Sequence, residues 1–159
     1  MTKQAYDELF KLIEKNDIAM LTTIQGDKLV SRPMSYQEVD DNGDIWFITT
    51  RNAEKAQEIL ADHRVNVAFA QKGFVSISGN AELVNDDVKK KEYWNKGIEM
   101  FLNTNYDDPN VTLIKVNAES AEYWATNKKG TTIIEGIKSL LSKDNDKETN
   151  TPINESVEL

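Results

Sequence analysis

Apolar residues at Ala5, Leu9, Leu12 and Ile13 fall three to four positions apart. That spacing predicts an amphipathic helix that starts behind Thr2 as a cap and ends near Asn16. The pattern then changes period. "IAMLTTI" is rich in β-branched residues, "QGDK" supplies turn chemistry, and "LVSRPMSYQEV" follows, so the two apolar runs read as a hairpin. A second turn, "DDNGD", holds Asn42-Gly43, a pair that tolerates two positive φ angles, and leads into "IWFITT" as a third antiparallel strand. "NAEKAQEILADH" gathers Ala56, Ile59 and Leu60 on one face of a short helix. "VNVAFA", a "QKG" turn and "FVSISGNAELV" form another hairpin.

In "DDVKKKEYWNKGIEMF" the residues Val88, Trp94, Ile98 and Phe101 sit at helical intervals behind Asp86 and Asp87, which suit a helix start. After "DDPN" comes a sixth strand, "VTLIKVNAE". Six strands joined mainly by tight turns predict a mainly β (α+β) fold, a six-stranded antiparallel split β-barrel with peripheral helices. A doubly wound sheet would need a helix between most strand pairs. Ile45, Phe47 and Ile77 are expected in the core. From Ser142 onward, "SKDNDKETNTPINESVEL" has few large apolar residues, so residues 1–141 read as one domain and 142–159 as a flexible tail.

Composition narrows the chemistry. The chain has 159 residues, 27 acidic against 19 basic, for a formal charge of -8. This balance opposes the phosphate contacts that give most nucleic-acid affinity, so no nucleic-acid partner is expected. No cysteine is present, which excludes disulfides, thiolate nucleophiles and cysteine-held metals. "MTKQAYDELFKLIEK" lacks the uninterrupted apolar run of a signal peptide and no later stretch is apolar enough to span a bilayer. A soluble, cytoplasmic protein is the expectation. The single histidine, His63, sits beside Arg64 at a predicted helix end, where a cation is welcome. With one histidine and no cysteine, the usual zinc triads cannot be assembled without unusual substitutions, and no metal site is expected. The seven glycines are scattered, so no phosphate-cradling loop is visible. No catalytic acid, base or nucleophile stands out; if reaction chemistry occurs, a bound cofactor would carry it.

One stretch does point to a ligand. With Asn52 as N-cap, Lys55 is the third residue of its helix, where a capping box would place Glu or Gln. A cation there opposes the helix dipole unless an anion is shared between it, the free N–H groups and the hydroxyls of Thr49 and Thr50. The plain alternative pairs Lys55 with Glu58, three residues on, or leaves it in water. In strand two, Pro33 cannot donate to a ladder, so the strand is an edge, a bulge or a strand open to a ligand. Arg32 beside it interrupts an apolar alternation.

"SRPM", "WFITT" followed by a helix with a lysine, "HRVNVAFA", "SISGNAEL" and "AEYW" occur here in an order and spacing that resembles the pyridoxamine 5′-phosphate oxidase-like flavin-binding split barrels. The resemblance is strongest to their short members called general stress protein 26, and it runs from Tyr6 to Trp124. It implies FMN bound non-covalently at a homodimer interface. On it, Arg32, Pro33 and Met34 would lie along the flavin, Thr49 and Thr50 would offer hydroxyls, and Lys55 would hold the phosphate. Trp124 would approach the flavin of the other subunit. A flavin-dependent oxidoreductase with a nicotinamide or reduced-partner donor is implied. The alternatives are a non-catalytic flavin-binding stress protein, or the same barrel around haem or a deazaflavin. Ala53 and Glu54 replace a serine and a second basic residue of the larger oxidases. Gln37 replaces their substrate-facing lysine, and their Arg and His substrate residues are missing after Trp124, so vitamin B6 oxidation is not expected.

Overall fold

The computed structural model describes residues 3–124 and 155–158, with side chains over 7–124. In chain order the elements are α1 (Lys3–Glu14), β1 (Ile18–Gln25), β2 (Lys28–Ser35), β3 (Glu38–Val39), β4 (Ile45–Thr50) and α2 (Glu54–Ala61). These are followed by β5 (Arg64–Phe69), β6 (Phe74–Val84), α3 (Asp87–Tyr93), α4 (Lys96–Leu102), β7 (Val111–Trp124) and β8 (Glu155–Glu158). Among the described residues no helix is long and apolar enough to cross a membrane.

The strands form one antiparallel sheet in the order β2-β1-β5-β6-β7-β4-β3, with β8 pairing β7 beside it. Strands β2 and β3 are the two ends of that order, yet only Tyr36 and Gln37 separate them along the chain. A two-residue connection can join the sheet's ends only if the sheet curls on itself. No ladder joins β2 to β3, so the result is a half-closed, split barrel, as expected from the turn pattern. The strand count differs from six. "LVSRPMSYQEV" breaks after Ser35, because the chain leaves β1 there and crosses to pair Glu38 with Trp46. The last residues of the sequence add β8 against Ser120–Tyr123. The rest of the expected tail, residues 142–154 and 159, lies outside the described residues.

Strand alternation sets the two faces. On β1, Ala19, Leu21 and Thr23 point inward and are fully buried, while Ile18 and Met20 alternate outward, 41% and 38% exposed. The main core gathers Leu9 and Ile13 of α1 with Leu21, Phe47, Val67, Phe69, Ile77, Ile114 and Tyr123. Ile45, Phe47 and Ile77 are buried there as expected. A smaller cluster of Trp46, Ile48, Val111 and Leu113 lies on the other face of β4, under Tyr93, Trp94 and Ile98. The Trp46 indole donates to Asp40 at 3.0 Å, and Lys89 and Lys115 lie 4.4 Å and 5.6 Å from its ring centre.

The helix expected over 86–101 is two helices. Asp86 caps α3 as anticipated, accepting from the N–H groups of Val88 and Lys89. The chain then becomes extended at Trp94 and Asn95, and the Asn95 side chain caps α4 by accepting from Ile98 N–H at 2.9 Å. Val88 and Phe101, which the helical spacing groups with Trp94 and Ile98, are 77% and 85% exposed. In the "DDNGD" turn only Gly43 takes a positive φ. Asp40 replaces the two-residue hairpin geometry by accepting from Asn42 and Asp44 N–H.

Candidate functional site

A cleft of about 650 Å³ opens between the end of β2, the end of β4, the start of α2 and the face of α4. That volume is in the range of small-molecule sites. Its floor is strand: Pro33 and Met34 from β2, and Ile48 and Thr49 from β4. One wall is Asn95 with Ile98, Phe101 and Leu102 of α4. Lys55 of α2 stands at one end and Ile18 of β1 on the rim. Among these residues the titratable ones are Lys55 and Tyr36; among the described residues no carboxylate or imidazole lines the cleft. The Tyr36 hydroxyl donates to the Ile13 carbonyl at 3.2 Å. Burial, with Asp17 and Glu14 adding to it, raises its pKa.

Lys55 is the electrostatic centre of the cleft. α2 begins one residue later than expected: Ala53, not Asn52, is the N-cap and offers no side-chain cap. Asn52 instead accepts from the Asn110 amide at 3.1 Å. Lys55 is therefore the second helical residue, still inside the first turn. Its side chain is half-buried and makes no hydrogen bond or ion pair with any described residue. Burial, and then the positive charge of Arg32, lower its pKa. The plain alternative of a Lys55–Glu58 pair is not formed, because Glu58 is held by Arg32 at 2.9 Å.

The structure thus brings Pro33, Met34, Thr49 and Lys55 together on one cleft and places Arg32 directly behind it. Arg32 faces inward across from Leu21, donating to Thr23 Oγ1 at 2.7 Å and to Glu58 Oε2 at 2.9 Å. Thr50 is on the opposite face of β4 from Thr49, and its carbonyl accepts from Ala53 N–H at 3.2 Å. Trp124 ends β7 across from Phe74, away from the cleft of its own chain. Following the ladders, it shares the sheet's outer face with Glu122, Ser76, Ala68, Met20 and Pro33. Sequence reading missed Glu58 as the Arg32 partner and α4 as a wall. His63 does not line the cleft; its Nδ1 lies 3.2 Å from the Ala81 carbonyl.

This geometry can be set beside known proteins. Residues 4–147 match the sequence profile described as pyridoxamine 5′-phosphate oxidase like. The chain belongs to that family. Solved structures with the same fold include general stress protein 26 from Bacillus anthracis, at 22% identity and TM-score 0.68, covering 76% of this chain and 93% of that one. A general stress protein 26 from Jannaschia sp. aligns over 99% of this chain and 100% of its own, at 22% identity and TM-score 0.71. A pyridoxamine 5′-phosphate oxidase-related, FMN binding protein from Nostoc punctiforme aligns at 12% identity and TM-score 0.62, covering 76% and 82%. No curated protein matches the chain. For this member of the pyridoxamine 5′-phosphate oxidase like family, the half-closed barrel and the cleft beside α2 are the frame on which a function has to be built.

Proposed function

We propose that the protein binds FMN non-covalently in this cleft, as a homodimer, and works as a flavin-dependent oxidoreductase. The observation that carries the reading is the Lys55 ammonium: half-buried, inside the first turn of α2, and without a counter-charge among the described residues. A phosphate would supply that charge, with the unshared N–H groups at the helix start and the Thr49 hydroxyl as further donors. Pro33, Met34, Ile48 and Ile98 offer the apolar floor and wall that a flat ring system needs. The FMN-binding relative from Nostoc supports the same ligand.

When bound, the flavin supplies the electron transfer. The chain's own part is to anchor, orient and shield, since among the described residues the cleft has no carboxylate or imidazole to move protons. The dimer is supported by the outer face. Ile18 on the rim and Pro33 on the floor belong to both that face and the cleft, so a second copy laid across it would bring Trp124 of the partner subunit toward the ligand. Haem has no support in the geometry, as the one histidine lies off the cleft.

Absorption of the purified protein tests the reading: bands in the blue and near ultraviolet are expected, and protein that stays colourless after incubation with FMN refutes it. Reduction of the bound flavin by NADH or NADPH under anaerobic conditions separates an oxidoreductase from a non-catalytic flavin binder. Lys55→Ala is expected to weaken FMN binding by about 1.5–3 kcal/mol, the range for a hydrogen bond to a charged group, in a fluorescence-quenching titration. Wild-type affinity would remove Lys55 from the site.

A pH dependence follows from the same residue. Its pKa in the ligand-free fold lies below the usual 10.5. An anion binds the protonated form, so affinity should fall as pH rises through that lowered value, before an ordinary lysine would titrate. Stability without ligand has the opposite slope: burying the charged form is unfavourable, so the fold gains stability from the lowered pKa up toward 10.5. Lys55→Arg should flatten the alkaline loss of affinity, which a titration series across that range would read.

A further inference from the structure

Glu58 lies one turn after Lys55 on α2, and its side chain is only 7% exposed. Its Oε2 accepts from Arg32 Nη2 at 2.9 Å and from the Thr23 hydroxyl, while Thr23 Oγ1 accepts from Arg32 Nη1 at 2.7 Å. Arg32 Nη1 also reaches the Leu21 carbonyl at 3.4 Å. The three side chains therefore close a triangle joining β1, β2 and α2. The other carboxylate oxygen, Oε1, is buried and has no hydrogen-bond partner.

As a packing device this arrangement is poor. A buried ion pair gains little over apolar residues of the same volume, and an unpartnered buried oxygen is a further loss. What the triangle does provide is geometry. Arg32 is adjacent in sequence to Pro33 and Met34 on the cleft floor, and Glu58 is on the same short helix as Lys55. A rigid link between Arg32 and Glu58 fixes the distance between the apolar floor and the cationic end.

We propose that Glu58 is a positioning residue for the ligand: by holding Arg32 it locks α2 to β2, and so sets the separation between the anion-binding end of the cleft and its apolar floor. The identity of that ligand as FMN rests on the reading above; the brace itself does not. Glu58 also neutralises one of the two neighbouring cations, Arg32 and Lys55, leaving a single positive charge for a phosphate to meet.

The test uses full-length Arg32→Met, Glu58→Gln and the double variant, with thermal midpoint and FMN dissociation constant measured on each. Either single change leaves a buried polar group without its partner, so both should lower the midpoint. The double variant removes both partners and should recover most of it. Affinity is expected to behave differently. Glu58→Gln should bind FMN about tenfold more weakly than wild type, the scale of losses when a supporting partner is removed. The double variant should bind like Arg32→Met alone, despite its recovered midpoint. Affinity that returns together with the midpoint, or wild-type affinity in Glu58→Gln, would overturn the proposal by making the triangle merely structural.

A ligand-free arm keeps the two readings apart. Hydrogen exchange of the α2 amides should be faster in the double variant than in wild type, and unchanged exchange counts against the brace. Wild-type protein that takes up no FMN while showing this exchange difference would sink the flavin reading and support the positioning role.

Discussion

Gly79→Ala is expected to destabilise the fold by about 3 kcal/mol, the upper part of the range for forcing extra atoms into a packed interior. The reason is space rather than backbone conformation. A Cβ at residue 79 would lie 2.0 Å from the Asn117 carbonyl oxygen, 3.0 Å from its carbon and 3.2 Å from the Ala118 Cα. All three are backbone atoms of β7, so no side-chain rotation can relieve the clash. The site is a bulge: Ser78 pairs with Ser120 but Gly79 pairs with Ala118, leaving Glu119 as the extra residue on β7. The two strands come close because glycine permits it. To admit a methyl group, β6 and β7 would have to part in the middle of their shared ladder, which runs from Phe74 paired with Trp124 to Val84 paired with Leu113. For a chain of this size the loss corresponds to a fall in thermal midpoint of roughly 6–12 °C. Denaturant titration should show a lower midpoint with an unchanged slope. A variant as stable as wild type would mean that β6 and β7 can part at the bulge at little cost.

That bulge shows which parts of the fold were legible in the sequence. The hairpin over β1 and β2 and the one over β5 and β6 were readable because alternation and a turn glycine are local signals. Gly26 and Gly73 indeed take positive φ values of 64° and 76°. The bulge was not readable, since it depends on which residues of two strands far apart in sequence lie opposite one another. The partition of "LVSRPMSYQEV" into β2 and β3 has the same cause. Nothing local marks Tyr36 and Gln37 as the crossing from one end of the sheet to the other. The break between α3 and α4 was hidden differently. Trp94 and Asn95 fit a helical periodicity, and only tertiary packing reveals that the indole joins the Trp46 cluster while the asparagine becomes a cap.

The candidate site divides along the same line. Lys55 was legible because a cation in the first turn of a helix conflicts with the local dipole whatever the rest of the fold does. Pro33 was legible because it lacks a donor in any strand. The Arg32 partner was not. Glu58 is 26 residues away and equally well placed, by spacing alone, to pair with Lys55. Only the packing of α2 against β1 and β6, which turns Glu58 toward Arg32, decides between the two cations. The consequence is chemical: by taking Arg32, Glu58 leaves Lys55 available to a ligand. Trp124 lies on the outer face, away from the cleft of its own chain, and that place is what ties the dimer proposal to the cleft.

Asn16→Ala should be nearly as damaging as Gly79→Ala, and it reaches the cleft as well. Asn16 is fully buried and uses all of its amide. Its Nδ2 donates to the Leu12 carbonyl at 2.7 Å and the Lys72 carbonyl at 2.9 Å. Its Oδ1 accepts from Gln71 N–H at 2.9 Å and Lys72 N–H at 2.8 Å. One side chain thus ties the end of α1 to the β5–β6 turn. Alanine would strand these four groups. Because Gln71 and Lys72 are themselves exposed, water would recover part of the loss, which brings the expected destabilisation to about 3 kcal/mol rather than the sum of four buried orphans. The effect propagates one step further. The Gln71 side chain accepts from the N–H groups of Asp17 and Ile18 at 3.1 Å and 3.2 Å, and Ile18 stands on the cleft rim. Freeing the turn frees Ile18, so FMN affinity should fall together with stability. Gln71→Ala separates the two effects. It removes the exposed link to Ile18 but keeps the Asn16 clamp, and should therefore lower affinity while the thermal midpoint stays close to that of wild type. If Asn16→Ala melts like wild type in a calorimetric scan, α1 is not held to the barrel through this residue.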